Sequence, residues 1–295
     1  MNEFKTFHPI VNFTYFVFVI GFSMFFMHPA ALLISLTCGF TYSVMLSGKR
    51  AVRTNLIYMI PMMLIMALIN PAFNHEGTTI LAYLPSGNPL TLESIIYGLC
   101  SATMIVTVIC WFACYTVIMT SDKFIYLFGT IIPSLSLIIS MTLRFVPKFS
   151  AQLKVVTNAQ RCMGSDISNG SLIQRAKHGL NILSIMTTWA LENAIDTADS
   201  MKARGYGIPG RTAFSIFIFD KRDRNTMIYI LITGLGTLIG SILGGMDFTY
   251  FPAIKGVGIT PLSICVFSTY FLLCIFPVLI ELMEVRRWAA LKSKI

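Results

Sequence analysis

Phe124-Ile125-Tyr126-Leu127-Phe128-Gly129-Thr130-Ile131-Ile132-Pro133-Ser134-Leu135-Ser136-Leu137-Ile138-Ile139-Ser140-Met141-Thr142-Leu143 carries no charge and is long enough to cross a bilayer, which takes about 20 apolar residues. Whether it crosses decides the topology. If it did, with Asn181 to Leu191 returning the chain, Arg144, Lys148, Lys154, Arg161, Arg175 and Lys177 would all face outside. That opposes the tendency of Lys and Arg to remain on the cytoplasmic side. Keeping Ser121 to Asn225 wholly inside instead places 21 of the 22 Lys and Arg residues in the cytoplasm: four before Leu56, 13 in this region and four after Ile280. Only Lys255 is left outside. The second topology is therefore expected, with residues 122–207 forming long tilted or horizontal helices at the membrane–water boundary. Pro133 and Pro147 are expected kink or start points.

Composition agrees with a membrane setting. Hydrophobic residues make up 55% of the 295 and charged residues 12%, with a mean hydropathy of +0.73. Soluble domains carry roughly 25% charged residues. The net charge of +9 does not indicate nucleic acid, because the bases fall between apolar runs and form no cluster interleaved with aromatics. Most of the seven cysteines (Cys38, Cys100, Cys110, Cys114, Cys265, Cys274) lie in apolar runs and read as small hydrophobes without a disulfide framework. Cys110 and Cys114 share a helix face, but no His or acidic partner nearby completes a metal set. Residues 9–27 form too long an apolar run, with too weak a basic flank, for a cleavable signal peptide.

Working outward, Ile10 to Met27 and Ala30 to Leu46 are apolar runs joined by a tight turn at His28-Pro29. Ser47 to Arg53 is an expected cytoplasmic loop. Leu56 to Ile69 crosses back, thinned or kinked at Pro61. Asn70 to Thr91 has turn punctuation and no Lys or Arg, and reads as an outer loop. Leu92 to Met119, Met227 to Leu243 and Pro261 to Ile280 complete about six spans. Gly234, Gly236, Gly240, Gly244 and Gly245 either pack closely or loosen their helix. The expected fold is all-α and polytopic: residues 1–120 with about four spans, 121–225 as a cytoplasmic or interfacial helical domain, and 226–295 with two spans and a charged tail.

Catalytic chemistry is not apparent. Gly48-Lys49 lacks the upstream glycine and the following Ser or Thr of a phosphate loop. The histidines (His8, His28, His75, His178) are scattered, and His75-Glu76 reads as a solvated loop pair. Glu192, Asp196 and Asp199 share a face and are expected in water or paired with bases such as Lys202. No metal and no cofactor is expected.

The polar region has its own pattern. A long helix is expected from Ser171 to the stretch Ala203-Arg204-Gly205-Tyr206-Gly207, where Gly205 and Gly207 act as stop signals. Ala190, Ala194 and Ala198 place small side chains on one face of it, fit for close approach of another helix. Arg204 suits the negative helix end, and its guanidinium can reach a partner. Ala159-Gln160-Arg161-Cys162-Met163-Gly164 is a second copy, so both arginines precede a helix-ending glycine.

With both copies in view, the chain resembles the transmembrane T component (EcfT or CbiQ-like) of energy-coupling factor transporters. His8-Pro9, Asn70-Pro71, the Gly77-to-Glu93 loop, Leu143-Arg144-Phe145-Val146-Pro147, Ala159-Gln160-Arg161 and Ala203-Arg204-Gly205 carry the likeness in order, over most of residues 8–212. The resemblance implies a non-enzymatic coupling subunit in a bacterial or archaeal cell membrane. Its partners would be two ATP-binding subunits (EcfA type) and a membrane-embedded S component that binds vitamins or transition-metal ions. Arg161, flanked by Gln160 and Cys162, and Arg204, flanked by Ala203 and Gly205, would end the helices that dock on the ATPases. The first motif departs from the family pattern, with Gln and Cys where Ala and Gly are frequent. A stand-alone secondary transporter is the alternative; it would need ionisable groups within the spans, which are almost empty of them.

Overall fold

The computed structural model describes residues 3–83, 88–131, 133–165, 171–206, 208, 217–256, 258 and 260–292. Gly207, one of the two expected stop signals, Ile132 of the Phe124 to Leu143 stretch, and residues 84–87 of the outer loop lie outside them. The chain divides into two compact units, Met1–Phe124 with Phe217–Ile295, and Ile125–Ile216.

In the first unit, helix α1 is Pro9–Phe25 and α2 is Pro29–Phe73. Both begin the same way. A proline at the first helical position has no N–H to lose and a preset φ, and the preceding histidine caps the helix through its side chain. His8 Nδ1 accepts from Ile10 N–H at 3.3 Å, and His28 Nδ1 accepts from Ala30 N–H at 3.2 Å.

Helix α2 is two arms. Gly48, at φ 60° and ψ −145°, is the single non-helical residue inside it. Asn55 Nδ2 donates to Ser43 Oγ at 3.1 Å across that bend, whereas 12 residues of straight helix would separate them by about 18 Å. The arms therefore fold back on one another. A loop was expected over Ser47 to Arg53; instead helix runs through that stretch on both sides of Gly48, where alone it breaks. Lys, Arg and Ala are good helix formers, so one glycine at positive φ is enough to reverse the chain.

Strands β1 (Ile80–Tyr83) and β2 (Pro89–Thr91) pair as an antiparallel hairpin before α3 (Leu92–Ile118). Buried Glu93 organises this connection, accepting from Thr78 Oγ1 at 3.1 Å, Thr79 N–H at 3.2 Å and Thr79 Oγ1 at 2.9 Å. Helix α4 (Ser121–Ile131) follows, and α7 (Lys221–Ile242), a small β3–β4 hairpin (Phe248–Thr249 with Lys255–Gly256) and α8 (Pro261–Lys292) close the unit. The core is aromatic, built on Phe4, Tyr15, Phe16, Tyr42, Trp111 and Tyr270, all essentially inaccessible. Trp111 fits because Gly39 has no side chain: a Cβ there would stand 3.1 Å from the indole. Its Nε1 donates to Ser35 Oγ at 2.9 Å, satisfying the one polar atom the burial would otherwise strand.

Among the described residues, five helical stretches are long and apolar enough to cross a membrane: Pro29–Lys49, Ala51–Phe73, Leu92–Ile118, Lys221–Ile242 and Pro261–Lys292. Pro9–Phe25, with 17 residues, is a shorter apolar sixth. These are the six apolar runs of the sequence, and the protein is an all-α polytopic membrane protein. The described part of Phe124 to Leu143, carried by α4 and α5 (Pro133–Cys162), is not among the five.

Candidate functional site

The second unit is dominated by α5 and α6 (Leu172–Ala203). Helix α6 starts on a capping box: Ser171 Oγ accepts from Gln174 N–H at 3.4 Å, and Gln174 Oε1 accepts from Ser171 N–H at 3.1 Å. Helix α5 begins at Pro133 and passes through Pro147 without ending.

Both helices finish alike. At the end of α5, Gly164 sits at φ 78°, Ser165 N–H donates to Gln160 O at 2.9 Å and Gly164 N–H to Arg161 O at 3.1 Å. At the end of α6, Gly205 sits at φ 79°, Tyr206 N–H donates to Met201 O at 3.0 Å and Gly205 N–H to Lys202 O at 2.9 Å. Each is a Schellman closure, in which a left-handed glycine turns two backbone donors onto the last carbonyls.

The two arginines do not occupy the same place in that closure. Arg204 is the residue directly before its glycine; Arg161 stands three before its own, where α6 has Lys202. The expectation that both share one position before a stop glycine is corrected accordingly. Two residues of helix turn a side chain by about 200°, so relative to the cap the arginines leave their helices in different directions.

Helices α5 and α6 cross over a short stretch. Val156 packs with Ile182 and Met186, and the Phe149 and Trp189 rings meet at 5.1 Å. Lys148 lies 5.6 Å from the Trp189 ring centre and donates to Asn193 Oδ1. Rising numbers on α5 meet falling numbers on α6, so the pair is antiparallel. Arg161 and Arg204 thus lie on opposite sides of the crossing, roughly 30–40 Å apart at 1.5 Å of rise per residue. Gln160, Arg161 and Cys162 stay together at one end, and Ala203, Arg204 and Gly205 at the other. Both arginines are exposed.

The face that α6 turns to α5 carries Ile182, Met186 and Trp189. Of the small-residue stripe, Ala190 lines the apolar groove between the two helices, while Ala194 and Ala198 are exposed. Glu192, Asp196 and Asp199 are exposed as well, and Lys202 stands 3.9 Å from Asp199 in a solvated i, i+3 pair. Sequence reading missed Lys148 as a packing residue. The signal was Trp189 within a helix of mixed polarity, with nothing to say what would cover it. Among the described residues no group of His, Cys, Asp and Glu is arranged to hold a metal ion.

Residues 6–216 match the family CbiQ, described as "Cobalt transport protein". The chain is 39% identical over 111 residues to the energy-coupling factor transporter transmembrane protein EcfT of Lactobacillus helveticus (strain DPC 4571), covering 37% of this chain and 40% of that protein. Proteins of the same name from Streptococcus thermophilus (strain ATCC BAA-250 / LMG 18311) and Lactococcus lactis subsp. cremoris (strain MG1363) are 34% identical over 102 residues and 32% over 99 residues. Those matches cover 34% and 33% of this chain, and 39% and 37% of the relatives. The matched stretches thus span about two-fifths of these relatives' length.

Proposed function

The chain belongs to the CbiQ family of transport proteins, and we propose that it is the transmembrane coupling subunit of an ATP-driven importer of the energy-coupling factor type. In this reading it links two separate ATP-binding subunits to a membrane-embedded S component, and it does not itself hydrolyse ATP. The S component selects the solute, a vitamin or a transition-metal ion. The complex sits in a bacterial or archaeal cell membrane, with residues 121–225 on the cytoplasmic side.

What carries the reading is the pairing, in a member of this family, of two glycine-closed helices that each bring one exposed arginine to opposite sides of a single crossing. A planar, permanently charged fork suits carboxylates and carbonyls on a partner, and arginine is over-represented among the residues that dominate interfaces. Two sites roughly 30–40 Å apart suit two partners better than one. Nucleotide binding draws the two ATPases together, the arginine-bearing ends move with them, and the crossed helices hand that motion to the S component.

The test is reconstitution. Liposomes holding this subunit, the ATPase pair and the S component should take up solute with ATP, and omission of this subunit should abolish uptake. The subunit alone should neither hydrolyse ATP nor move solute. Uptake by the subunit alone, driven by an ion gradient, would overturn the proposal in favour of a secondary transporter.

A further inference from the structure

The chain leaves the first unit after Phe124 and returns to it at Phe217. Residues beside both passages are bonded, within that unit, to the same short segment, Glu3–His8. Beside the first is Lys123, which is only 4% exposed. Its ammonium donates to Lys5 O at 2.6 Å and to Phe7 O at 3.1 Å. Asn12, with its amide turned so that both ends are satisfied, accepts from Lys123 Nζ at 2.6 Å and donates to Phe4 O at 3.1 Å.

Beside the second passage, the His8 ring meets Phe217 and Phe219 edge-on at 6.5 and 5.2 Å. Buried Asp223 accepts from His8 N–H at 3.2 Å through one oxygen, and from Asp220 N–H at 3.2 Å through the other. Arg222 lies 4.2 Å from the Phe7 ring centre and donates to Glu3 Oε1 at 2.7 Å and Thr6 Oγ1 at 3.1 Å. From α8, Glu281 accepts the Phe4 N–H at 3.4 Å.

Side chains of α4, α7 and α8 bond this one short segment, and a buried ammonium cannot lose its acceptors without leaving an uncompensated charge. Burial, with repulsion from Lys5, pulls the Lys123 ammonium down to about 8, against the opposing pull of Asp223. The network is thus built although it costs part of the cation's hydration.

We propose that Glu3–His8 is a tie that fixes the first turn of α4 and the start of α7 to α1, with Lys123 as its positioning residue. A displacement imposed on residues 125–216 then reaches the membrane helices as movement instead of being absorbed in two independent hinges. This rests on the coupling function proposed above.

The experiment uses the full complex in liposomes and reads solute moved per ATP hydrolysed. Lys123→Met keeps the length of the side chain and removes its charge and donors. It should lower that ratio roughly threefold or more, the size of effect expected of a residue that transmits coupling without touching either ligand, while hydrolysis continues. Arg222→Gln, at a partly exposed site, should shift the ratio the same way by less. In the full chain in detergent, Lys123→Met should speed hydrogen exchange of the Phe4 and His8 amides, and at Asp220–Asp223 as well. A ratio and an exchange pattern equal to wild type would overturn the tie, as would uptake and hydrolysis falling in proportion. If the wild-type complex itself fails to couple, the proposal of a coupling subunit fails instead, and the exchange measurement still judges the tie.

Discussion

Arg204 directly precedes the left-handed glycine that closes its helix, whereas Arg161 stands three residues ahead of its own, the two closures being otherwise the same. The closures should therefore matter unequally to the arginines. An alanine forced into the left-handed region costs roughly 1–2 kcal/mol. At Gly205 an added Cβ would also meet Ile208 Cδ1 at 3.1 Å, while at Gly164 nothing lies within 4 Å. Gly205→Ala should weaken ATPase docking more than Gly164→Ala, although both should fray their last turns in hydrogen exchange. Equal losses of docking would show that the caps do not position the arginines.

The two His-Pro starts give a pH dependence with a definite sign. Burial lowers the His8 pKa, with Lys123 adding to it and Asp223 opposing, and burial alone lowers that of His28. Each Nδ1 is an acceptor and must be unprotonated to cap its helix. The folded state thus favours the neutral ring, and the stabilisation is present above the unfolded value of about 6.5 and lost as pH falls through the folded values. Thermal unfolding in detergent should shift to lower temperature between about pH 7 and about pH 5, each cap being worth roughly 0.5–2 kcal/mol. Replacing both histidines with asparagine, which caps without titrating, should flatten that slope. An unchanged slope would contradict the assignment.

The glycines of α7 divide into those that pack and one that does not. A Cβ at Gly240 would come within 2.2 Å of Val266 Cγ2, and at Gly234 within 3.1 Å of the Phe18 ring, but at Gly236 it would meet nothing within 4 Å. Gly240→Ala should lower resistance to denaturing detergent by about 1–3 kcal/mol, the usual range for overpacking. Gly236→Ala should be neutral or stabilising by up to about 1 kcal/mol through helix propensity. The reverse order would mean that α7 and α8 do not approach as described.

Sidedness follows from the distribution of Lys and Arg. Single cysteines in place of Lys154 and Lys177, both exposed, in a cysteine-free background should escape an impermeant thiol reagent applied outside intact cells. Strong labelling at either would refute the placement of residues 121–225 in the cytoplasm.

Apolar runs long enough to span were legible in the sequence because lipid leaves backbone polar groups no partner but their own helix. Helix α6 was legible too, from Ser171 at its start to Gly205 at its end. The bend at Gly48 was not. Clustered Lys and Arg mark the cytoplasmic side without distinguishing a loop from helix ends, and those residues are good helix formers. Lys123 read as one more cytoplasmic charge. Its acceptors include the carbonyls of Lys5 and Phe7, and a carbonyl that every residue carries leaves no trace in a sequence. The offset of Arg161 was hidden for a related reason: aligning the copies on their arginines conceals which glycine ends each helix.

The central claim is that Arg161 and Arg204 hold the ATPases, and co-purification of the ATPase subunits with this subunit, followed by uptake, tests it most directly. Each Arg→Ala variant should leave the membrane helices folded and cost on the order of 2 kcal/mol or more in docking, a loss of roughly thirtyfold in affinity. Arg→Lys should rescue poorly, because a point charge does not reproduce the guanidinium fork. The double variant should lose far more than either single one, since docking at one end raises the effective concentration at the other. The account predicts that the Arg161→Ala, Arg204→Ala protein recovers almost no ATPase and transports nothing; recovery and uptake at wild-type levels would make both arginines ordinary helix ends and contradict it.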